Sequence, residues 1–154
     1  MDAENLINTI ISLQPACRIK EQADRPSIEV AAENLPAIME TLCNNDRLAF
    51  DMLLDHTAID HEPLAKFELV YNLYSTLHGH YLMVTCDIER QSALAPTMSM
   101  IWSAAHWQER EVYDLFGIRY EGHSDLRRIF LEDDWQGHPL RKDYKDPDML
   151  EFEK

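Results

Sequence analysis

Phe67-Glu68-Leu69-Val70-Tyr71-Asn72-Leu73-Tyr74-Ser75-Thr76 is followed by His78-Gly79-His80 and then by Tyr81 to Ile88. Aliphatic and aromatic residues alternate with polar ones in the first run, the pattern of a strand with one buried face. Gly79 between two histidines supplies a tight turn, so Tyr81 to Ile88 reads as the returning strand of a hairpin. Upstream, Phe50 to Ile59 is apolar with acidic interruptions and reads as a third strand. Leu6, Ile7, Ile10 and Ile11 recur at helical spacing, giving an amphipathic first helix over 3–13 with Pro15 just beyond. Cys17 to Gln22 and Ser27 to Val30 read as short strands around the turn Asp24-Arg25-Pro26. Asn34 has the character of an N-cap, with Pro36 in the first turn and Ile38, Met39, Leu42 and Cys43 as the apolar face of a second helix. Asn44-Asn45 is its stop. The expected fold is α+β, a mixed or antiparallel sheet with helices packed on one face, followed by a long irregular C-terminal arm.

The last helical pattern runs from about Ala93 to Phe116, in one piece or two. Ile101, Ala105, Val112 and Leu115 lie near one face, suited to the sheet. Trp102, His106, Glu109, Tyr113 and Phe116 follow a 4-3-4-3 spacing along another. A helix with two such faces has two things to pack against, and the Trp/His/Glu/Tyr side has the composition of an interface. Residues 119–154 show no sustained period, yet Tyr120, Phe130, Leu131, Trp135 and Tyr144 make them too apolar for a disordered tail. The chain therefore divides into a globular domain, 1–118, and an extension, 119–154, shaped to wrap another protein.

The net charge of −14 argues against non-specific nucleic-acid binding and against adhesion to anionic lipid. The charge is uneven: residues 119–145 hold six basic and six acidic residues within an otherwise acidic chain. Cys17, Cys43 and Cys86 form no close pair, so an iron–sulfur or structural zinc site within the chain is not expected. Unpaired cysteines fit a reducing compartment. Met1-Asp2-Ala3-Glu4-Asn5 lacks the basic and apolar regions of a signal peptide, and no apolar run approaches the roughly 20 residues of a membrane span.

Glu109-Arg110-Glu111-Val112-Tyr113-Asp114-Leu115-Phe116-Gly117-Ile118 concentrates three acids, an arginine and an aromatic. Two carboxylates with separated pKa values make an acid–base pair. Glu109 and Glu111, however, are two apart on a helix and diverge, while Arg110 and Asp114 have the spacing of an ordinary i,i+4 ion pair. A stand-alone hydrolase or lyase would need Glu109, Glu111 and His123 or His138 to converge on a pocket. His78-x-His80 is a metal candidate only if both rings face one way; plain turn chemistry is the simpler reading. Gly79, Gly117, Gly122 and Gly137 form no phosphate-cradling motif. Arg127-Arg128 and Arg141-Lys142 sit among Asp125, Glu132, Asp133, Asp134 and Asp143, which opposes nucleic-acid binding.

Three blocks carry a resemblance: Trp107 to Ile118, Glu121-Gly122-His123-Ser124-Asp125-Leu126-Arg127-Arg128-Ile129, and Gly137-His138-Pro139-Leu140-Arg141-Lys142-Asp143-Tyr144. In this order and spacing they are similar to the 30 kDa subunit family of proton-pumping NADH:quinone oxidoreductase, respiratory complex I. Ser124 departs from the family, which commonly has proline after the Gly-His pair, and little chain follows Tyr144. The resemblance implies a cofactor-free structural and assembly subunit of the peripheral arm, with no catalytic or metal-binding residues of its own. FMN, Fe-S clusters and quinone would lie in partner subunits. The implied partners are the hydrogenase-like large subunit and the cluster-bearing subunits B and I, on the cytoplasmic side of the bacterial inner membrane. The equivalent subunit of a membrane-bound hydrogenase or ferredoxin-dependent relative is the alternative. The expected partner interface comprises Trp102, Glu109, Arg110, Glu111, Tyr113, Asp114, Arg127, Arg128, Trp135, His138, Arg141, Lys142 and Tyr144.

Overall fold

A computed structural model describes residues 2–20 and 24–146. The expected end of the first short strand at Glu21 and Gln22, and the tail 147–154, lie outside the described residues. Helix α1 (Ala3–Leu13) begins where the Asp2 carboxylate accepts the Asn5 N–H at 2.9 Å, and it buries Leu6, Ile7 and Ile10. Strands β1 (Arg18–Ile19) and β2 (Ser27–Glu29) follow. Helix α2 (Leu35–Asn44) buries Leu35, Ile38, Met39 and Leu42. Asn34 precedes it as expected, but makes no side-chain cap; the chain enters α2 through a 3₁₀ turn at Ala32–Asn34 instead.

Strands β3 (Met52–His61), β4 (Lys66–Tyr74) and β5 (Tyr81–Glu89) are the long ones. The sheet order is β1-β2-β5-β4-β3, with β2 parallel to β5 and the other pairs antiparallel. Alternation sorts the two faces. Phe67, Leu69, Tyr71 and Leu73 of β4 lie opposite Ile88, Cys86, Val84 and Leu82 of β5, all buried under the helices. Lys66, Glu68, Asn72 and Tyr74 point to the other face, where Glu68 pairs with Lys20 and His61, and Lys66 pairs with Asp87. Gly79, at φ +67°, closes the β4–β5 hairpin. His78 and His80 donate from Nε2 to the main-chain carbonyls of Asp46 and Leu48, both at 2.8 Å. The pair thus ties the hairpin tip to the loop before β3, and no metal-binding cluster occurs among the described residues.

The expected helix from Ala93 is replaced over its first half. Leu94–Pro96 form strand β6, and only α3 (Ala105–Phe116) is helical, followed by strand β7 (Arg119–Glu121). β6 and β7 pair in parallel as a separate two-stranded sheet, so α3 is the crossover between them. The reason is long-range: Leu94-Ala95-Pro96 finds hydrogen-bonding partners in a segment beyond α3, which local periodicity cannot reveal. It also means the extension does not begin as irregular chain, since 119–121 is a strand with Tyr120 buried.

Candidate functional site: the inward face of α3 and its strap

Helix α3 lies on the covered face of the sheet, with Ala105, Val112 and Phe116 in the core and Phe116 edge-on to Phe67. Gly117 ends it in the left-handed region at φ +76°, its N–H bonded to the Tyr113 carbonyl at 2.9 Å. Four residues expected at a partner interface are instead turned into the chain, which is a correction. Trp102 is buried and its indole N–H donates to the Phe50 carbonyl at 3.0 Å. Glu109, Arg110 and Asp114 are buried too. The feature that reads as an interface in sequence is divided within the chain: Trp102 and Glu109 meet Phe50 and the turn after β6, while Arg110 and Asp114 meet the extension.

Asp114 is the centre of that contact. One carboxylate oxygen accepts the main-chain N–H groups of Ile129, Phe130 and Leu131 at 3.0, 2.8 and 3.0 Å. The other accepts Arg128 Nη1 at 2.6 Å. Burial pushes the Asp114 carboxyl up, but the three N–H donors and the guanidinium outweigh it and hold it below the ordinary carboxylate value. Arg128 continues outward, donating to the carbonyls of Trp135 and Gly137 at 3.0 and 3.1 Å. Arg110 does not pair with Asp114 as its spacing suggests. It donates to the carbonyls of Arg127 and Arg128, both at 3.1 Å, with its guanidinium 5.1 Å from the Trp107 ring centre. His138 donates from Nδ1 to the Asp114 carbonyl at 2.9 Å, and the Leu140 N–H bonds the Leu115 carbonyl at 3.0 Å.

Another buried acid, which no spacing in the sequence marks, fixes the far end. Asp60 of β3 takes a two-pronged bond from Arg90 at 2.8 and 3.0 Å and accepts the Lys142 N–H at 2.8 Å. Arg90 also reaches Asp143 at 2.6 Å. The Arg90 hydrogen bond is the main cause holding Asp60 below the ordinary carboxylate value. Arg90 and Arg141 lie over the buried Phe67 ring at 5.6 and 5.2 Å. Residues 122–146 are thus a strap secured to the domain by Asp114 and Asp60. Tyr144 lies against Gly137, and its hydroxyl donates to Asp146 at 3.1 Å.

Of the expected interface residues, Glu111, Arg127, Trp135 and Lys142 are exposed, while Tyr113, Arg128, His138, Arg141 and Tyr144 are half-buried. The strap adds Phe130 and Leu140 to the exposed apolar residues; Met100 and Trp107 add to them beside and on α3. The residues of an acid–base enzyme do not converge. Glu109 is sealed while Glu111 faces out. His123 donates from Nε2 to the His106 carbonyl and accepts the Asp125 N–H at Nδ1. His138 borders a shallow cleft with Gln136, Arg141 and Tyr144 that contains neither glutamate.

A second group of buried polar residues also has no signal in the sequence. His56 donates from Nδ1 to the Val70 carbonyl, accepts the Tyr120 hydroxyl at 2.5 Å, and stacks on Tyr71 at 4.0 Å. Burial lowers its pKa to about 4, so it is neutral. A histidine and two tyrosines on strand alternation carry no local mark that they will meet under a helix.

No described helix is long and apolar enough to cross a membrane. Over 92% of its length this chain is 37% identical to the C subunit of NADH-quinone oxidoreductase from Moorella thermoacetica, of which the match covers 95%. Its fold superposes on a chain of the archaeal membrane-bound sulfane sulfur reductase with a TM-score of 0.80 at 28% identity, covering 92% of this chain and 85% of that one. It also matches the trypsin-resistant fragment (1-134) of Nqo5, TM-score 0.64 at 26% identity, covering 82% of this chain and all of that one. The family model described as respiratory-chain NADH dehydrogenase, 30 Kd subunit, matches residues 28–148, which take in the three long strands β3 to β5, α3 and the strap, and the chain belongs to that family.

Proposed function

We propose that this chain is a cofactor-free structural subunit of the peripheral arm of a proton-translocating NADH:quinone oxidoreductase. Its work is to hold neighbours in register while electrons pass from FMN through Fe-S clusters to quinone in other subunits. The observation that carries the reading is the strap. Its main-chain and charged groups are bonded to Asp114, Asp60 and Arg110, so Phe130, Trp135 and Leu140 are left outward on an ordered frame. A frame ordered before binding avoids most of the ordering cost, about 1–2 kcal/mol per residue, that a free arm incurs on assembly. The hydrogenase-like large subunit is the proposed main partner, with the cluster-bearing subunits B and I adjacent, on the cytoplasmic face of the inner membrane.

The likeness to a membrane-bound sulfane sulfur reductase supports a second reading, the equivalent subunit of a hydrogenase-type or ferredoxin-dependent complex. Affinity purification of the tagged chain from its native host separates the two. A flavin-bearing NADH module among the co-purifying subunits supports the first, and a nickel-site large subunit without that module supports the second. Recovery of the chain alone under mild extraction, with native-host levels of the complex intact, overturns both. Replacing Trp135 and Phe130 by Ser should reduce co-purification at least tenfold, as expected when about 1.4 kcal/mol or more of anchor contact is lost, without lowering the domain's thermal midpoint.

A further inference from the structure

We propose that Glu109 is a proton-binding site, fed from the surface by the hydroxyls of Ser99 and Thr97 and sensed by the turn that follows β6. Glu109 is fully buried and accepts only neutral donors: the Met98 N–H at 2.6 Å on one oxygen and the Thr97 hydroxyl at 2.5 Å on the other. Asp114, a turn and a half along the same helix, has a guanidinium and three N–H groups. Among the described residues no cation pairs with Glu109. Arg110 beside it is turned to the carbonyls of Arg127 and Arg128, and Glu111 faces out. From β4 comes the buried Tyr71, whose hydroxyl has no hydrogen-bond partner among the described residues, with Cys86 of β5 close to it. From β7 comes Tyr120, its hydroxyl committed to His56 of β3. These groups are neutral, and nothing among them balances a carboxylate. A buried carboxylate without a counter-charge favours its protonated form, and burial raises Glu109 to about 7.

The route for the proton is built. Thr97 Oγ1 lies 2.8 Å from Ser99 Oγ, and Ser99 is only half-buried. In the ionised state Ser99 donates to Thr97 and Thr97 donates to Glu109. A proton arriving from water bonds to Ser99 Oγ while the Ser99 hydroxyl proton moves to Thr97 and that of Thr97 moves to Glu109 Oε2. Three O–H bonds form as one hydronium O–H and two hydroxyl O–H bonds break, leaving a neutral water at the surface. The chain then runs in the opposite direction, Glu109 donating to Thr97 and Thr97 to Ser99. No heavy atom need move for entry, but the grip on the turn changes, because an anion becomes a neutral acid bonded to Thr97 and Met98. That turn carries Met100, 86% exposed, to the surface beside α3, so protonation is read at a place where a partner could sense it.

The test is a pH titration of the full chain labelled at glutamate carboxyl carbons and at backbone nitrogen. One carboxyl resonance should titrate with its midpoint near 7, disappear in Glu109→Gln, and share its midpoint with the Met98 amide. Thr97→Val, which removes a donor to the carboxylate, should raise that midpoint further. The proposal is overturned if every glutamate titrates in the ordinary range, or if the neutral-range resonance survives in Glu109→Gln. Should Glu109→Gln fail to fold, the wild-type Met98 amide decides alone: no titration between about pH 6 and 8 overturns the proposal.

Discussion

Asp114 and Glu109 stand one turn and a half apart on α3, both fully buried, and their surroundings push them in opposite directions. Asp114 is lower in the folded chain than its ordinary value of 3.8, so its contribution is present above that value and is lost as pH falls through the folded one. Asp60 behaves alike. Glu109 is raised from 4.5 to about 7, so the folded chain binds the extra proton and stability falls as pH rises across that interval. The expected curve climbs out of acid and then declines by roughly 3 kcal/mol between those two values. Denaturant melts from pH 4 upward (about the carboxylate range) should show the decline in wild type and not in Glu109→Gln. At Gly117 a different constraint applies. A Cβ there would sit 2.5 Å from the His138 ring, at a φ of +76°. Gly117→Ala should cost about 1–3 kcal/mol and displace His138 from the Asp114 carbonyl, seen as faster hydrogen exchange from 137 to 141.

The elements that carry the proposed interface are α3 and the strap, and they are unequally readable. The helix itself, its glycine stop and its two-faced character follow from spacing. What covers its second face does not, because a 4-3-4-3 stripe looks alike whether a partner or distant parts of the same chain pack on it. Asp114 as a collector of three main-chain N–H groups cannot be seen in the segment 129–131, since such bonds depend on backbone direction and not on side-chain type. Arg128→Ala removes the ion pair with Asp114 and the bonds to the carbonyls of Trp135 and Gly137. Its cost should be about 3–5 kcal/mol, since a buried acid loses its cation. Trypsin should then cut between 127 and 145 in the free chain while the β4–β5 hairpin keeps its exchange protection. Uniform loss of protection across the sheet would make Arg128 a determinant of the whole fold and not of the strap.

Across the described residues, the three-helix cover leaves one face of the five-stranded sheet open, and that face is finished with the ion pairs Lys20–Glu68 and Lys66–Asp87 and with the His61–Glu68 hydrogen bond. Cys17 and Cys86 belong to the covered side, where burial lifts their thiols to about 11 and 12. Cys43 is only half-buried. Alkylation at neutral pH should therefore label Cys43 first and reach Cys86 only through global unfolding, so its rate reports the stability of the whole domain. Equal rates at all three would mean the covered side opens locally. The sheet and its helices are readable from alternation and 3.6-residue spacing because both are local periods. The β6–β7 pairing and the bonds that Asp114 and Asp60 make to the strap are not, because each depends on residues far along the chain.

Asp60 and the Lys142 amide that it holds are 82 positions apart. At about 5–20 residues per second of synthesis, roughly 4–16 s separate the emergence of the acid from that of its partner. Until then β3 carries a carboxylate meant for burial that its final donors have not yet satisfied. A nascent chain thus completes this part of its interior only once residue 142 has emerged, and the outward surface of the strap comes into being after the sheet beneath it.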